Sequence, residues 1–375
     1  MYLQKLHLSQ FRGFENYELE FNPTNGLNIF VGHNGAGKTN VIEAIYLLCF
    51  PRSFRTRLTE SLVRMGQTHY LIEANFDNFN DQTAILEVFE NQPQTKHLKL
   101  GAQLNPSRKI YQRNQVDIDL KQFLSNLQTV MFSPEDLDLV TSSPKIRRKF
   151  LDLLLFEVDR EYFQAHVEYT RLLNQRNAIL KNSKTLDQAQ EQLDIWDQKF
   201  INSAHTLFGY RTDLINSLKK YLPNCLQKFL PELGHQITLE YLPSNHSYDP
   251  KQITPDFIAS QLQKNLSRDL KTRYTNFGPH RDDFKLLIHS QNVTEFCSRG
   301  QLRALVLSLK LAQINYIESN CLKKPLLLLD DVFSELDKTR RQALLELAQD
   351  YQTFITTVEM AYFEDLNIKY TLFKL

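Results

Sequence analysis

The order of apolar and polar positions divides the chain into stretches of different period. Near the start, "KLHL" and "YELEF" alternate apolar and polar residues, the period of strands with one buried face. "GLNIFVG" is more continuously apolar, as a central strand covered on both faces is. A glycine-rich turn follows, and "KTNVIEAIYLLCF" then reads as a buried helix. Further strands are predicted at "YLIEANF", "TAILEVF" and "QTVMF".

The period changes near Ser133. In "SPEDLDLV", Ser133 stands as an N-cap, Pro134 at the first helical position and acids in the first turn. "SPKIRRKFLDLLLF" repeats the device at Ser143 and Pro144. From there to about Tyr221 the pattern is mostly helical with a polar break at "KNSKTLDQAQ", which predicts an antiparallel helical hairpin or bundle. Pro223, Pro231, Pro243, Pro250 and Pro255 mark a looser region, and strands return at "QITLEY" and "DFKLLIH". The last part holds the helix in "CSRGQLRALVLSLKLAQI", an apolar strand "PLLLLDD", a helix "KTRRQALLELAQ", a strand "TFITTV" and a short tail. The expected organisation is an α/β core, residues 1–132 and 300–375, split by a mainly helical insertion over 133–299.

Composition narrows this little. Of 375 residues, 42% are hydrophobic and 23% charged, as in ordinary globular proteins. The net charge of +1 means that any nucleic-acid contact must come from local basic patches. Cys49, Cys225, Cys297 and Cys321 are scattered without a C-x-x-C pair, so neither a zinc site nor a disulfide framework is expected. With no apolar signal core in "MYLQKLHLSQFRGF" and no run long enough to span a bilayer, the expected location is the cytoplasm, away from membranes.

The chemistry is in three motifs. Gly32, His33, Asn34, Gly35, Ala36, Gly37, Lys38 and Thr39 read "GHNGAGKT", which fits G-x-x-x-x-G-K-[ST] between a predicted strand and a predicted helix. The glycines let the backbone curl around phosphate oxygens, and the amides and helix N-terminus supply positive potential. Lys38 is placed to reach the β and γ phosphates of ATP, and the Thr39 hydroxyl to ligate Mg²⁺. Such a site needs an acid at the end of a neighbouring strand, and Asp330 closes "LLLLD". Asp331 follows it, placed to orient or deprotonate an attacking water. Glu is the usual residue there; the shorter Asp331 predicts slow hydrolysis. Third, Ser298, Gly300 and Gln301 open a helix shortly before that strand. This loop is either a plain N-cap or, as in ABC-type ATPases, a signature that closes over ATP held by a second molecule. Ser334 and Asp337 in "SELD" fall where that class has its D-loop.

These motifs resemble the RecF family, bacterial DNA-repair ATPases related to the heads of SMC and Rad50 proteins. "FRGF", "NGAGKTNVIEAIYLLCFPRSFRT", "FSPEDLDLVTSSPKIRRKFLD", "RLLNQRNAILK", "GPHRDDF" and "LLLLDDVFSELD" carry the resemblance in order over nearly the whole chain. It implies an α/β, ABC-type P-loop ATPase head, SMC/Rad50-like, with a mainly helical second lobe and no long coiled coil. It implies a weak DNA-dependent ATPase acting as a switch: an ATP-dependent homodimer on DNA, released by slow hydrolysis. It further implies work at gapped or single-strand/double-strand junction DNA in repair, replication and the SOS response, with RecO and RecR as partners in loading RecA. Arg12, in "FRGF", is implied to contact the nucleotide. Two positions depart from the pattern: Leu302 stands where the family often has glutamine, and Thr356 and Thr357 stand where ABC ATPases carry a histidine.

Other readings are weaker. An ABC transporter subunit keeps Walker A and signature closer together, and a Rad50- or SMC-type tether needs longer heptad arms than this proline-interrupted insertion offers. A P-loop kinase or GTPase does not need an S-x-G-Q loop. Arg52, Arg55 and Arg57 contact DNA or a partner, or form a solvated turn. Lys145, Arg147, Arg148 and Lys149 oppose the dipole of their helix, which hints at an outside anion beside the reading of a solvated face. Arg268, Lys271 and Arg273 read as a solvated face, Arg281, Asp282 and Asp283 as an internal ion-pair turn, and His280 and Trp196 as structural residues.

Overall fold

The alternating N-terminal segment becomes an antiparallel sheet. In the computed structural model, which describes residues 2–22, 26–77, 95–104, 107–124, 126–233, 236–363 and 369–375, β1 (Tyr2–Phe11) and β2 (Phe14–Glu20) form a hairpin with Leu6 opposite Leu19. Alternation sends Leu6 and Leu8 of β1 inward, both fully buried. β3 (Leu27–Val31) leads through the glycine-rich loop into α1 (Lys38–Cys49). There follow β4 (His69–Asp77), β5 (Thr95–Gln103), β6 (Arg108–Arg113), β7 (Val116–Asp117), α2 (Leu120–Leu124) and β8 (Thr129–Phe132). The strand expected at Thr83–Phe89 lies outside the described residues.

The middle of the chain is helical: α3 (Asp138–Thr141), α4 (Pro144–Val158), α5 (Arg160–Asn182) and α6 (Leu186–Phe229). α5 and α6 pack as a hairpin, broken where the polar segment predicts. Asp159 caps α5 by accepting from Glu161 N and Tyr162 N, and Thr185 caps α6 by accepting from Gln188 N. Ser143 occupies the N-cap of α4, but its side chain makes no cap bond. Contrary to expectation, α6 does not end near Tyr221. It runs through Pro223 because the apolar spacing continues, with Leu222, Cys225, Leu226 and Phe229 all buried. This burial outweighs the backbone hydrogen bond that proline cannot donate.

The chain continues through β9 (Ile237–Leu242), α7 (Pro255–Thr272), β10 (Asp283–Ile288), β11 (Gln291–Asn292), α8 (Val293–Phe296) and α9 (Arg299–Cys321). It ends with β12 (Leu326–Asp330), α10 (Lys338–Ala348), β13 (Thr353–Thr357) and β14 (Tyr370–Lys374). β14 is more than the tail that the sequence suggests. It pairs in parallel with β3, Leu372 opposite Ile29, and Phe373 stacks on Phe30 with ring centroids 4.9 Å apart.

Two compact units result, Met1–Asp136 with Ile317–Leu375, and Leu137–Tyr316. The second division falls inside α9 rather than at residue 299, since that helix continues unbroken past the expected boundary. The first unit holds an antiparallel sheet, β2-β1-β4-β5-β6-β7, and a parallel one, β14-β3-β13-β12-β8. The second unit holds the helices and a small antiparallel sheet, β11-β10-β9. Parallel strands buried on both faces read as unbroken apolar runs, and Leu326 to Leu329 of β12 are all 3% exposed or less.

Candidate functional site

Ligands of open parallel sheets gather at the carboxyl ends of the strands. Here β13 lies between β3 and β12, with Thr356 opposite Phe30 on one side and Asp330 on the other. The phosphate loop leaves β3 after Val31 and therefore emerges beside the ends of β13 and β12. Its turn needs left-handed backbone at Gly35 (φ 88°) and Gly37 (φ 102°). At Gly37 a Cβ would also stand 2.9 Å from Cζ of Phe14, so the second aromatic of "FRGF" packs against the loop. His33, Asn34 and Gly35 form its exposed tip, with Gly32 and Ala36 on its flanks.

The loop brings the expected side chains together. Lys38 Nζ donates to the carbonyl oxygens of Gly32 (2.6 Å) and His33 (3.0 Å). Thr39 Oγ1 donates to Asp330 Oδ1 (2.9 Å), joining the helix start to the end of β12. Asp330 is only 8% exposed, and among the described residues no Lys or Arg pairs with it. Burial pushes its carboxyl above the ordinary aspartate value, against hydrogen bonds from Thr356 and Thr39 that favour the charged form. A buried carboxylate with a hydroxyl beside it and no ion-pair partner among the described residues is a donor set that fits Mg²⁺, which binds through one or two carboxylates plus substrate phosphates.

Asp331 sits in left-handed conformation (φ 51°), turning its side chain off the strand line. Burial raises its carboxyl, while the Lys38 charge opposes the shift. Its backbone N–H donates to Thr356 Oγ1 (3.0 Å), and Thr356 donates to Asp330 Oδ1 (2.7 Å). Thr356 thus fixes both acids of the pair, a positioning role that sequence reasoning did not assign. The signal was present in two threonines at the end of an apolar strand, but the order β3-β13-β12 was needed to read it.

Glu43 is the second residue missed. It lies fully buried on α1. Arg12 donates Nε to its Oε2 (2.8 Å) and Nη2 to its Oε1 (2.7 Å), and Nη1 to the Ser61 carbonyl (2.6 Å). Ser53 donates to the same carboxylate, and Arg55 stands 3.9 Å from it. An acid inside "VIEAIYLL" was the available clue, since buried carboxylates need partners. Arg12 is therefore anchored to the phosphate-loop helix, with two of its five N–H groups unbonded among the described residues.

The signature loop has a local geometry of its own. Gln301 N donates to Ser298 Oγ (3.3 Å), and Ser298 N donates to Gln301 Oε1 (2.8 Å), a reciprocal capping box at the head of α9. Gly300 lies in the first turn, and Ser298 is exposed. After β12, Ser334 Oγ donates to the Asp331 carbonyl (2.9 Å), and Asp337 caps α10 by accepting from Arg340 N (2.9 Å).

In the second unit, "GPHRDD" proves to be the centre of a buried polar network. Asp282 accepts from Arg211 Nη1 (2.6 Å), Tyr241 OH (2.6 Å) and Ser244 N (2.7 Å). Arg211 also donates to Asp152 (2.7 Å). Arg147 pairs with Asp283 through two bonds. His280 bridges Tyr169 OH (2.6 Å) and the Thr275 carbonyl (2.8 Å). Trp196 packs on Ile179, Leu180, Leu193 and Leu266. His280 and Trp196 are structural residues, as expected; the motif's acids pair with Arg211 and Arg147 and not with Arg281, which donates to Asn276.

Comparison with known proteins gives consistent neighbours. Residues 2–374 match the model of the RecF/RecN/SMC N terminal domain family. The "DNA replication and repair protein RecF" of Streptococcus pneumoniae (strain CGSP14) is 35% identical over 378 residues, covering 100% of this chain and 97% of the relative. A structure of the recombination mediator protein RecF-ATPrS in the RecFOR pathway superposes with a TM-score of 0.85 at 29% identity, covering 100% of this chain and 96% of that one. A RecF-ATP structure from the same pathway gives 0.83 at 30% identity, covering 98% and 93%. The fold is that of an ABC-type P-loop ATPase head of the SMC/Rad50 kind with a mainly helical second unit, and the described residues hold no long coiled coil.

Proposed function

Because the chain belongs to the RecF family, we propose that it is an ATP-binding, DNA-binding recombination mediator of repair and replication. Gapped or junction DNA is its substrate, and RecO and RecR are its partners in loading RecA during gap repair and the SOS response. It acts in the cytoplasm; no helix among the described residues is long and apolar enough to cross a membrane. The observation that carries the reading is the hydrogen-bonded pair of Thr39 and Asp330 at the sheet end, with Lys38 on the same loop.

Residues 32–39 cradle the phosphates of ATP, Lys38 compensates charge on the β and γ groups, and Arg12 reaches the nucleotide with its spare N–H groups. Thr39 and Asp330 would hold Mg²⁺, which would supply charge compensation for the phosphates. Asp331 accepts the proton of the attacking water; the water oxygen bonds to the γ-phosphorus as the bond to the bridging oxygen breaks, giving ADP and phosphate. The capping box of α9 presents exposed Ser298, with Gly300 and Gln301, to ATP on a second copy, with Ser334 and Asp337 at the same contact. ATP binding thus closes a dimer on DNA, and slow hydrolysis reopens it.

Sedimentation with ATP, with and without gapped DNA, tests this. Lys38→Met abolishes ATP-dependent dimers; unchanged dimers would end the sandwich reading. Ser298→Arg keeps ATP binding and loses dimers, whereas lost ATP binding would place Ser298 at its own subunit's nucleotide.

A further inference from the structure

The second unit contains a cavity of about 440 Å³ built entirely from its own residues. Three segments that look unrelated in sequence meet there. Lys145 and Arg148 come from the first turns of α4, Arg268 from α7 and Arg281 from "GPHRDD". No Asp or Glu lines the cavity. Among the described residues none of these four cations pairs with a carboxylate. The neighbouring basic residues differ: Arg147 is spent on Asp283, and Arg273 on the carbonyls of Leu180 and Ser183.

Two of the four cations are held in place. Arg148 donates Nη1 to the Asp282 carbonyl (2.7 Å). Arg281 donates to Asn276 Oδ1 (2.8 Å) and lies over the Tyr274 ring. Ser244 and Asn245, both in left-handed backbone, are tied to Asp282 and Gly278 through Ser244. Ser143 also faces the cavity, and its side chain makes no bond to the helix N–H groups behind it. Like charges around one hollow repel each other and oppose the α4 dipole. Burial and the nearby Arg211 charge push Arg148 below the ordinary arginine value, in the same direction. A polyanion in the cavity removes the conflict, and Arg, Lys, Ser, Asn and a helix N-terminus are the groups that hold phosphate oxygens.

We propose that this cavity binds backbone phosphates of a nucleic-acid strand. A strand is favoured over a free nucleotide because the lining offers no Phe, Tyr or Trp face for a base; beside Pro144 and the His246 ring it holds cations and small polar groups. The inference rests on the DNA-acting reading given above and assigns part of that contact to the helical unit.

Lys145 and Arg268 are exposed and hold no structural bond among the described residues, so their removal leaves the fold intact. The full chain, Lys145→Gln, Arg268→Gln and the double variant are titrated against fluorescent single-stranded and duplex oligonucleotides at several salt concentrations. Each substitution should weaken binding about tenfold and lower the salt-dependence slope by about 0.9 on duplex, one phosphate contact each. ATP binding without DNA is unchanged. Wild-type DNA binding with an unaltered slope in the double variant overturns this site alone; absent DNA binding by the wild type overturns the DNA-acting reading with it. Competition by free AMP at the affinity of the strand, lost in the double variant, overturns the strand assignment in favour of a small nucleotide.

Discussion

Asp330 and Asp282 are both buried aspartates at hydrogen-bonding centres, yet they are surrounded in opposite ways. Asp282, fully buried, accepts from the guanidinium of Arg211, a tyrosine hydroxyl and a backbone amide. Asp330 accepts only from the neutral hydroxyls of Thr39 and Thr356. Burial works against the Arg211 charge, but Asp152 and its neighbours outweigh it and hold the guanidinium protonated well above the ordinary value. Asp282 itself stays above the ordinary aspartate value, as Asp330 does, because burial outweighs Arg211, Tyr241 and Ser244; the two differ in their partners, and Asp152 shows the other half of the pairing. Burial pushes it up, and Arg211 and His166 overcome this to hold it well below the usual carboxylate range. One cluster is therefore paired within the protein, and the other holds no ion-pair partner among the described residues. Completeness marks structure, and an uncompensated buried charge marks chemistry.

The largest expected effect follows from cutting the complete cluster. Arg211→Met leaves the Asp282 and Asp152 carboxylates without their shared cation, and removing one partner of a buried pair costs about 3–5 kcal/mol. Urea unfolding should show that loss. A change below about 1 kcal/mol would mean that the cluster is solvated in solution and that the comparison with Asp330 has no content.

Next in size is a pH effect in the same unit. His280 Nε2 donates to the Thr275 carbonyl, so Nδ1 accepts from Tyr169 OH and the ring is neutral. Burial pushes its pKa down to about 4, with the Arg281 charge acting in the same direction against the Thr275 bond. The unfolded chain takes up this proton near pH 6.5 and the native one near 4, so stability falls as pH drops through that window, by up to about 3 kcal/mol. His280→Gln keeps a donor and an acceptor without the titration. The stability gap between wild type and variant should narrow from pH 7 to pH 4. A constant gap would show that the ring does not titrate there.

The two clusters also differ in how far the sequence discloses them. Lys38, Thr39 and Asp330 lie in contiguous motifs, because phosphate binding requires a fixed local spacing of glycine, lysine and hydroxyl. The capping box at Ser298 and Gln301 is local as well, and the same four residues serve a helix start whether or not they meet a second nucleotide. Thr356 depends on β13 lying between β3 and β12, a strand order that no local pattern encodes. Arg147 and Arg148 are adjacent and chemically alike. About 100° of helical rotation sends one to Asp283 and the other to the cavity. The β14 segment reads as tail because it is short and its apolar residues stand on both faces, Leu372 exposed beside half-buried Phe373, so no alternation marks a strand.

The smallest stability effect is expected where the functional effect is greatest. Asp330→Asn keeps the shape of the side chain and an acceptor for the hydroxyls of Thr39 and Thr356. It removes a buried carboxylate that no Lys or Arg pairs with among the described residues, the Arg55 charge acting on it only from a distance. Since burial raises the Asp330 pKa, the native state holds its proton to higher pH than the unfolded chain. The wild type therefore loses stability as pH rises through that interval, and the amide variant does not. At neutral pH the variant should be as stable as the wild type or more so, by about 1 kcal/mol at most, while Mg²⁺-dependent ATP turnover is lost. Thermal unfolding and ATPase rate measured on the same sample check this. A variant clearly less stable than wild type would mean that Asp330 is held charged for the fold, and the contrast with Asp282 would disappear.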